Sequence, residues 1–126
     1  MAGFVKAEDF KRMLDELLQN DPEVEGASLV TSDGLVVSAV FQTEGIEEDE
    51  IGAMSAALLG ISERVVQDFN RGELVQTILK GPNGYAVAHK IGEDWVLVLI
   101  TSPRAKLGMI QFNLKAITQE MMEFTL

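Results

Sequence analysis

The chain has 126 residues, no cysteine and a formal net charge of −10. That length suits one domain, able to bury roughly two-thirds of the surface its unfolded form exposes. Lack of cysteine excludes disulfides, thiolate nucleophiles and Cys-ligated metal sites, and the acidity argues against nucleic acid and anionic membranes, which select basic patches.

Residues 1–7 read as an N-terminal arm of a single domain spanning residues 1–126. Met1 to Lys6 lacks the charged start and apolar run of a signal peptide, so a cytoplasmic protein is expected. Phe10, Met13, Leu14, Leu17 and Leu18 then recur at helical spacing, and Asn20-Asp21-Pro22 is the stop. Gly26–Ser32 and Leu35–Phe41 flank Ser32-Asp33-Gly34, which predicts a hairpin. The second of these strands is apolar on both faces, as in a strand covered on both sides.

Thr43 to Glu50 is an acidic loop running into a second helix. Its carboxylates suit the positive end of the helix dipole. That helix is expected to continue to Asn70, with Gly72 as its stop. Ile51, Met54, Leu58, Ile61, Val65 and Phe69 form one stripe, and Leu59 and Val66 lie to one side of it. With Gly52, Ala53, Ala56, Ala57 and Gly60, the apolar and small surface is wider than one packing partner requires.

Leu74–Lys80, Tyr85–Ile91 and Trp95–Thr101 are three strands joined by Gly81-Pro82-Asn83-Gly84 and Gly92-Glu93-Asp94. The longest apolar run, Trp95 to Ile100, is too short to span a bilayer. Ser102-Pro103 reads as an N-cap followed by proline at the first helical position. The last helix carries Leu107, Ile110, Leu114, Ile117, Met121 and Phe124 at three-four spacing. The order is α-β-β-α-β-β-β-α, an α+β domain with a five-stranded antiparallel sheet and helices on both faces.

Three segments, in this order and spacing, carry a family resemblance. They are Val24 to Val30 with Ser32 to Val36, Ile51 to Leu58, and Trp95 to Leu99 with Ala105 to Gly108. Together they resemble the roadblock/LC7 family, a profilin-like layered sandwich. The family includes MglB-type partners of small GTPases and dynein light chains. The resemblance implies a homodimer in which the third strands pair edge to edge and the central helices lie side by side. It would place Leu74, Val75, Gln76, Thr77, Ile78 and Leu79 at the strand seam. Leu59, Val66, Ala56 and Gly60 would line the helix seam. Surplus apolar surface on the central helix agrees, since such surface marks interfaces. Glu63, Arg64, Gln67 and Arg71 are the candidate surface for a further partner.

Other motifs have plainer readings. His89, the sole histidine, lies in a strand without a Cys partner or metal-ligand spacing, which suits a structural residue better than a general base. Glu44 to Glu50 lacks the alternating oxygen ligands of an EF-hand. Ser32-Asp33-Gly34 is not a Gly-x-Ser-x-Gly elbow. Gly81 to Gly84 is not followed by Gly-Lys-Ser/Thr and a helix, so the chain is not a recognisable P-loop GTPase. No cofactor, metal or catalytic constellation is expected. The resemblance therefore implies a non-enzymatic regulator or partner of a small Ras-like GTPase. A structural adaptor or scaffold is the alternative, and an apolar small-molecule sensor comes third.

Overall fold

A computed structural model describes residues 7–42 and 44–125, with backbone alone for the last two. The elements are α1 (Ala7–Asn20), β1 (Val24–Thr31), β2 (Val36–Phe41), α2 (Glu48–Asp68), β3 (Gln76–Gly81), β4 (Gly84–Ile91), β5 (Trp95–Thr101) and α3 (Leu107–Thr125). The expected arm and Thr43 lie outside the described residues, except Ala7, which opens α1. The strands form one antiparallel sheet in the order β2-β1-β5-β4-β3. β1 and β5 are central, which suits their nearly unbroken apolar runs.

The period-two alternation of the strands divides the core. On one face Ala27, Leu29, Val87, Leu97 and Leu99 meet α1 and α3. From those helices Phe10, Met13, Leu14, Leu17, Ile110, Leu114, Ile117 and Met121 fill the space above them. On the other face Val30, Ala88, Val96 and Val98 meet Leu59 of α2 and Leu74. β2 is flanked from both sides as expected, since Val37 and Val40 join the first cluster and Val36 the second. Two serines tie β2 to its neighbours. Ser28 Oγ donates to the Ser38 carbonyl at 3.2 Å, and Ser38 Oγ donates to the Ala7 carbonyl at 2.7 Å.

Several boundaries differ from the sequence reading, each for a local reason. α2 ends at Asp68, before the expected Asn70. Asn70 takes the left-handed conformation at φ 56° and serves as the stop in place of Gly72. The Asn70 N–H donates to the Gln67 carbonyl and the Arg71 N–H to the Val66 carbonyl, the paired closure of a Schellman end. Ser102-Pro103 does not begin α3, which starts at Leu107. Ser102 Oγ instead donates to Glu23 Oε1 at 3.1 Å and accepts the Arg104 N–H at 3.1 Å. The serine therefore caps a turn that fastens the end of β5 to β1. β3 begins at Gln76, later than Leu74, because Leu74 turns into the core beneath α2. Leu107 is exposed at the start of α3, and the Phe124 side chain lies outside the described residues.

α2 packs closely because of one glycine. A Cβ on Gly52 would collide with the Gly34 carbonyl oxygen in the β1–β2 turn and would press on Val36. Gly60 has open space around it. These two helical glycines predict opposite outcomes. Gly52→Ala should destabilise the fold by about 1–3 kcal/mol through overpacking. Gly60→Ala should stabilise it by up to about 1 kcal/mol through helix propensity. Urea denaturation of both variants checks the contrast.

Candidate interaction surface

α2 crosses its sheet face from the β1–β2 turn, where Gly52 sits, to β4, where Glu63 Oε1 lies 3.4 Å from Lys90 Nζ. The helix turns Gly52, Ser55 and Leu59 inward and buries them. Val66 also packs on this inner cluster. Leu59 is 4% exposed. Leu59, expected at a helix seam, is thus occupied by the chain's own sheet, and Val66 is partly so.

The stripe Ile51, Met54, Leu58, Ile61, Val65 and Phe69 lies on the flank of α2 that borders β3 and β4. It is largely bare, with Met54 68%, Ile61 67% and Phe69 69% exposed. Beside it runs an apolar groove of about 350 Å³ between α2 and the sheet. Met54 and Leu58 form one wall, and Leu79, Ala86, Val98 and Ile100 form the floor and far side. The opposite flank is small and polar. There Ala56 faces the β1–β2 turn, and Gly60, Arg64 and Gln67 are exposed. Of the candidate partner residues, Glu63 is tied to Lys90. Arg64 lies 3.6 Å from Asp68, and Arg71 Nε donates to the Phe69 carbonyl. Arg64 and Gln67 thus lie on the flank opposite the apolar stripe, while Arg71 sits beside Phe69, the stripe's last residue.

β3 is an edge of the sheet. The Lys90 N–H donates to the Val75 carbonyl at 2.9 Å, which sets the ladder's phase. In an antiparallel pair the bonded positions alternate. Thr77 and Leu79 therefore turn their backbone groups toward β4, and Gln76, Ile78 and Lys80 turn theirs outward. The side chains alternate as well. Thr77 and Leu79, opposite Ala88 and Ala86, lie on the α2 face, while Ile78, opposite Val87, packs on the α1–α3 core. Val75 and Leu79 are exposed. The buried Thr77 hydroxyl has no hydrogen-bond partner among the described residues. Of the residues expected at the strand seam, Leu74 alone is buried in the chain's own core.

His89 lies opposite Gln76 and Leu97, on the α1–α3 side of the sheet. Its Nδ1 is 3.1 Å from Gln76 Oε1, so the protonated Nδ1 donates to that oxygen. Desolvation by burial holds the imidazole below its ordinary 6.5. The unfolded chain then takes up the proton first as the pH falls. Stability from this position is present above the unfolded value and is lost as the pH drops through the folded one. Between pH ~7.5 and ~5.5 the chain should lose more stability than His89→Gln does, and denaturation at both values measures the difference.

Among the described residues no three His, Asp or Glu side chains are grouped to hold a metal ion. No described helix is long and apolar enough to cross a membrane.

The geometry joins comparisons with known proteins. The Roadblock/LC7 domain profile matches residues 10–101. The uncharacterized protein MJ0310 of Methanocaldococcus jannaschii is 32% identical over 104 residues, which cover 82% of this chain and 89% of that protein. MglB of Myxococcus xanthus superposes with a TM-score of 0.84 at 19% identity, over 96% of this chain and 90% of the other. An MglB solved in a tetrameric arrangement superposes at 0.85 and 15% identity, over 99% and 94%. At such identities the structures speak for the fold, while the profile and the archaeal relative speak for descent. This chain belongs to the Roadblock/LC7 domain family.

Proposed function

We propose that this chain is a homodimeric, non-enzymatic binding platform that partners and regulates a small Ras-like GTPase. One observation carries the reading: the apolar flank of α2, the groove beside it and the open β3 edge are continuous. A second copy, turned by a two-fold axis, supplies the same three features in reverse, as an isologous contact requires. Pairing about Ile78 sets Gln76 against Lys80 of the copy, with no like charges opposed. The outward backbone groups of Gln76, Ile78 and Lys80 then gain partners. Met54, Leu58, Ile61 and Val65 close over the groove against the second α2. In this arrangement the helix seam is the bare stripe, and Leu59 and Val66 lie beneath it.

The GTPase partner rests on the family resemblance. Regulation of such a partner needs unequal affinity for its two nucleotide states, because a ligand shifts an equilibrium only by that difference. Any rise in hydrolysis would come from positioning the GTPase's own groups, through the outer surface of the paired helices. The adaptor reading shares the dimer and differs in having a partner that ignores nucleotide. The sensor reading draws on the groove, whose volume of about 350 Å³ is at the lower end for small-molecule sites.

Two measurements test the proposal. Ile61→Glu should weaken the dimer by about 100-fold or more, roughly 3 kcal/mol for a charge buried without a partner. Arg64→Glu on the other flank should leave it unchanged, and sedimentation over a concentration series reads both. The second is capture of partners from native lysate in GTP-analogue and GDP buffers. A small GTPase retained in one nucleotide state supports regulation. A partner retained equally in both buffers moves the reading to an adaptor.

A further inference from the structure

A second groove lies on the other side of the sheet, between α1 and α3, with a volume of about 290 Å³. Met13, Leu17 and Ile117 are its buried base. Met109 and Phe112 stand on its α3 bank, and Phe112 is 66% exposed. The charged residues lining it are Glu16 from α1 and Glu120 from α3. We infer that this groove is a docking site for a cationic amphipathic helix of a partner protein.

The class of partner follows from what the groove offers. Both banks are helices, whose backbone groups are bonded within each helix. An extended strand laid between them would leave its own N–H and C=O groups without partners, at the cost of buried unpaired polar groups. A helix arrives with its backbone satisfied and presents only side chains. From Met109 to Glu120 the α3 bank rises roughly 16 Å, which matches about three turns of such a helix. Methionine adapts readily to apolar knobs of different shape, and the exposed Phe112 ring offers them a large apolar face.

Charge selects among helices. Acidic side chains line both banks, and the whole chain carries −10. A cationic helix is drawn to this surface, while an acidic helix is repelled. The groove also lies on the face opposite α2. It stays open when a copy or a GTPase occupies the α2 side, so the inference does not rest on the proposed function. A chain with both surfaces in use bridges two partners.

The probe is a synthetic 14-residue helical peptide with leucines at three-four spacing and lysines elsewhere, titrated into isotope-labelled full-length protein. Amide shifts should gather on residues 13–20 and 109–120. Phe112→Ser, at an exposed position that the fold does not need, should weaken binding tenfold or more. Glu16→Lys with Glu120→Lys should weaken it similarly, and restoring either glutamate should recover part of the loss. A peptide with glutamate replacing lysine should not bind. Equal binding by the acidic peptide, by a scrambled lysine peptide or by the Phe112 variant would overturn the inference. So would shifts confined to α2 and β3. Groove signals that change with protein concentration alone, or on deletion of residues 1–6, would show the groove filled by the chain itself and also overturn it.

Discussion

A five-stranded sheet is about 20 Å across, and a helix with its side chains is only about 10–12 Å wide. Two helices can cover one face of such a sheet, but one cannot. Here α1 and α3 share one face, and α2 has the other to itself. Much of the remaining architecture answers that shortage. α2 is held close through Gly52 and sends Ser55 and Leu59 inward. It crosses from the β1–β2 turn to β4 and leaves Leu79, Ala86 and Ile100 at the border of an open apolar groove. The uncovered part of the sheet and the bare flank of the helix are two sides of one deficit.

The two faces accordingly have different characters. The α1–α3 core is closed and holds most of the fully buried large side chains, among them Leu14, Leu97, Leu99 and Leu114. Polar ties fasten its ends. Asn113 Nδ2 donates to Asp21 Oδ2, and Ser102 holds Glu23. The α2 side is a smaller cluster that ends in exposed methionine, isoleucine and phenylalanine. Interfaces that close a core in this way resemble a domain cut in half. The self-association surface we propose therefore lies on the α2 side, and the α1–α3 groove, with Glu16 and Glu120 in its lining, is a candidate surface of another kind. An open, uncharged stretch of edge strand is an aggregation hazard. Thr77, Ile78 and Leu79 make such a stretch, and the pairing we propose would remove the hazard.

Much of this was legible in the sequence. The element order, the meander of the last three strands and the buried stripes of α1 and α3 follow from periodicity and turn residues. The stop of α2 is less legible, because a left-handed Asn70 does the work expected of Gly72. Ser102-Pro103 has the residues of a helix start, yet the serine's bonds to Glu23 and Arg104 serve a turn. The orientation of α2 was the main thing the pattern hid. Its regular apolar stripe looks like a core face, but small residues decide the approach. Gly52 and Ser55 let the helix sit down on the side that includes Leu59, which rotates the larger stripe toward solvent. The signal is present in the chain: Gly52 and Ser55 mark the side on which α2 can come close, and the larger stripe lies off it.

Hydrogen exchange at the β3 edge tests the central claim most directly. The amides of Thr77 and Leu79 point to β4 and should be protected whether or not a second copy is present. The amides of Gln76, Ile78 and Lys80 point outward. If two copies pair along β3, these three should be protected at high protein concentration and should exchange much faster on dilution below the dissociation constant. Fast exchange of the three at every concentration, with Thr77 and Leu79 still protected, would contradict pairing through this edge.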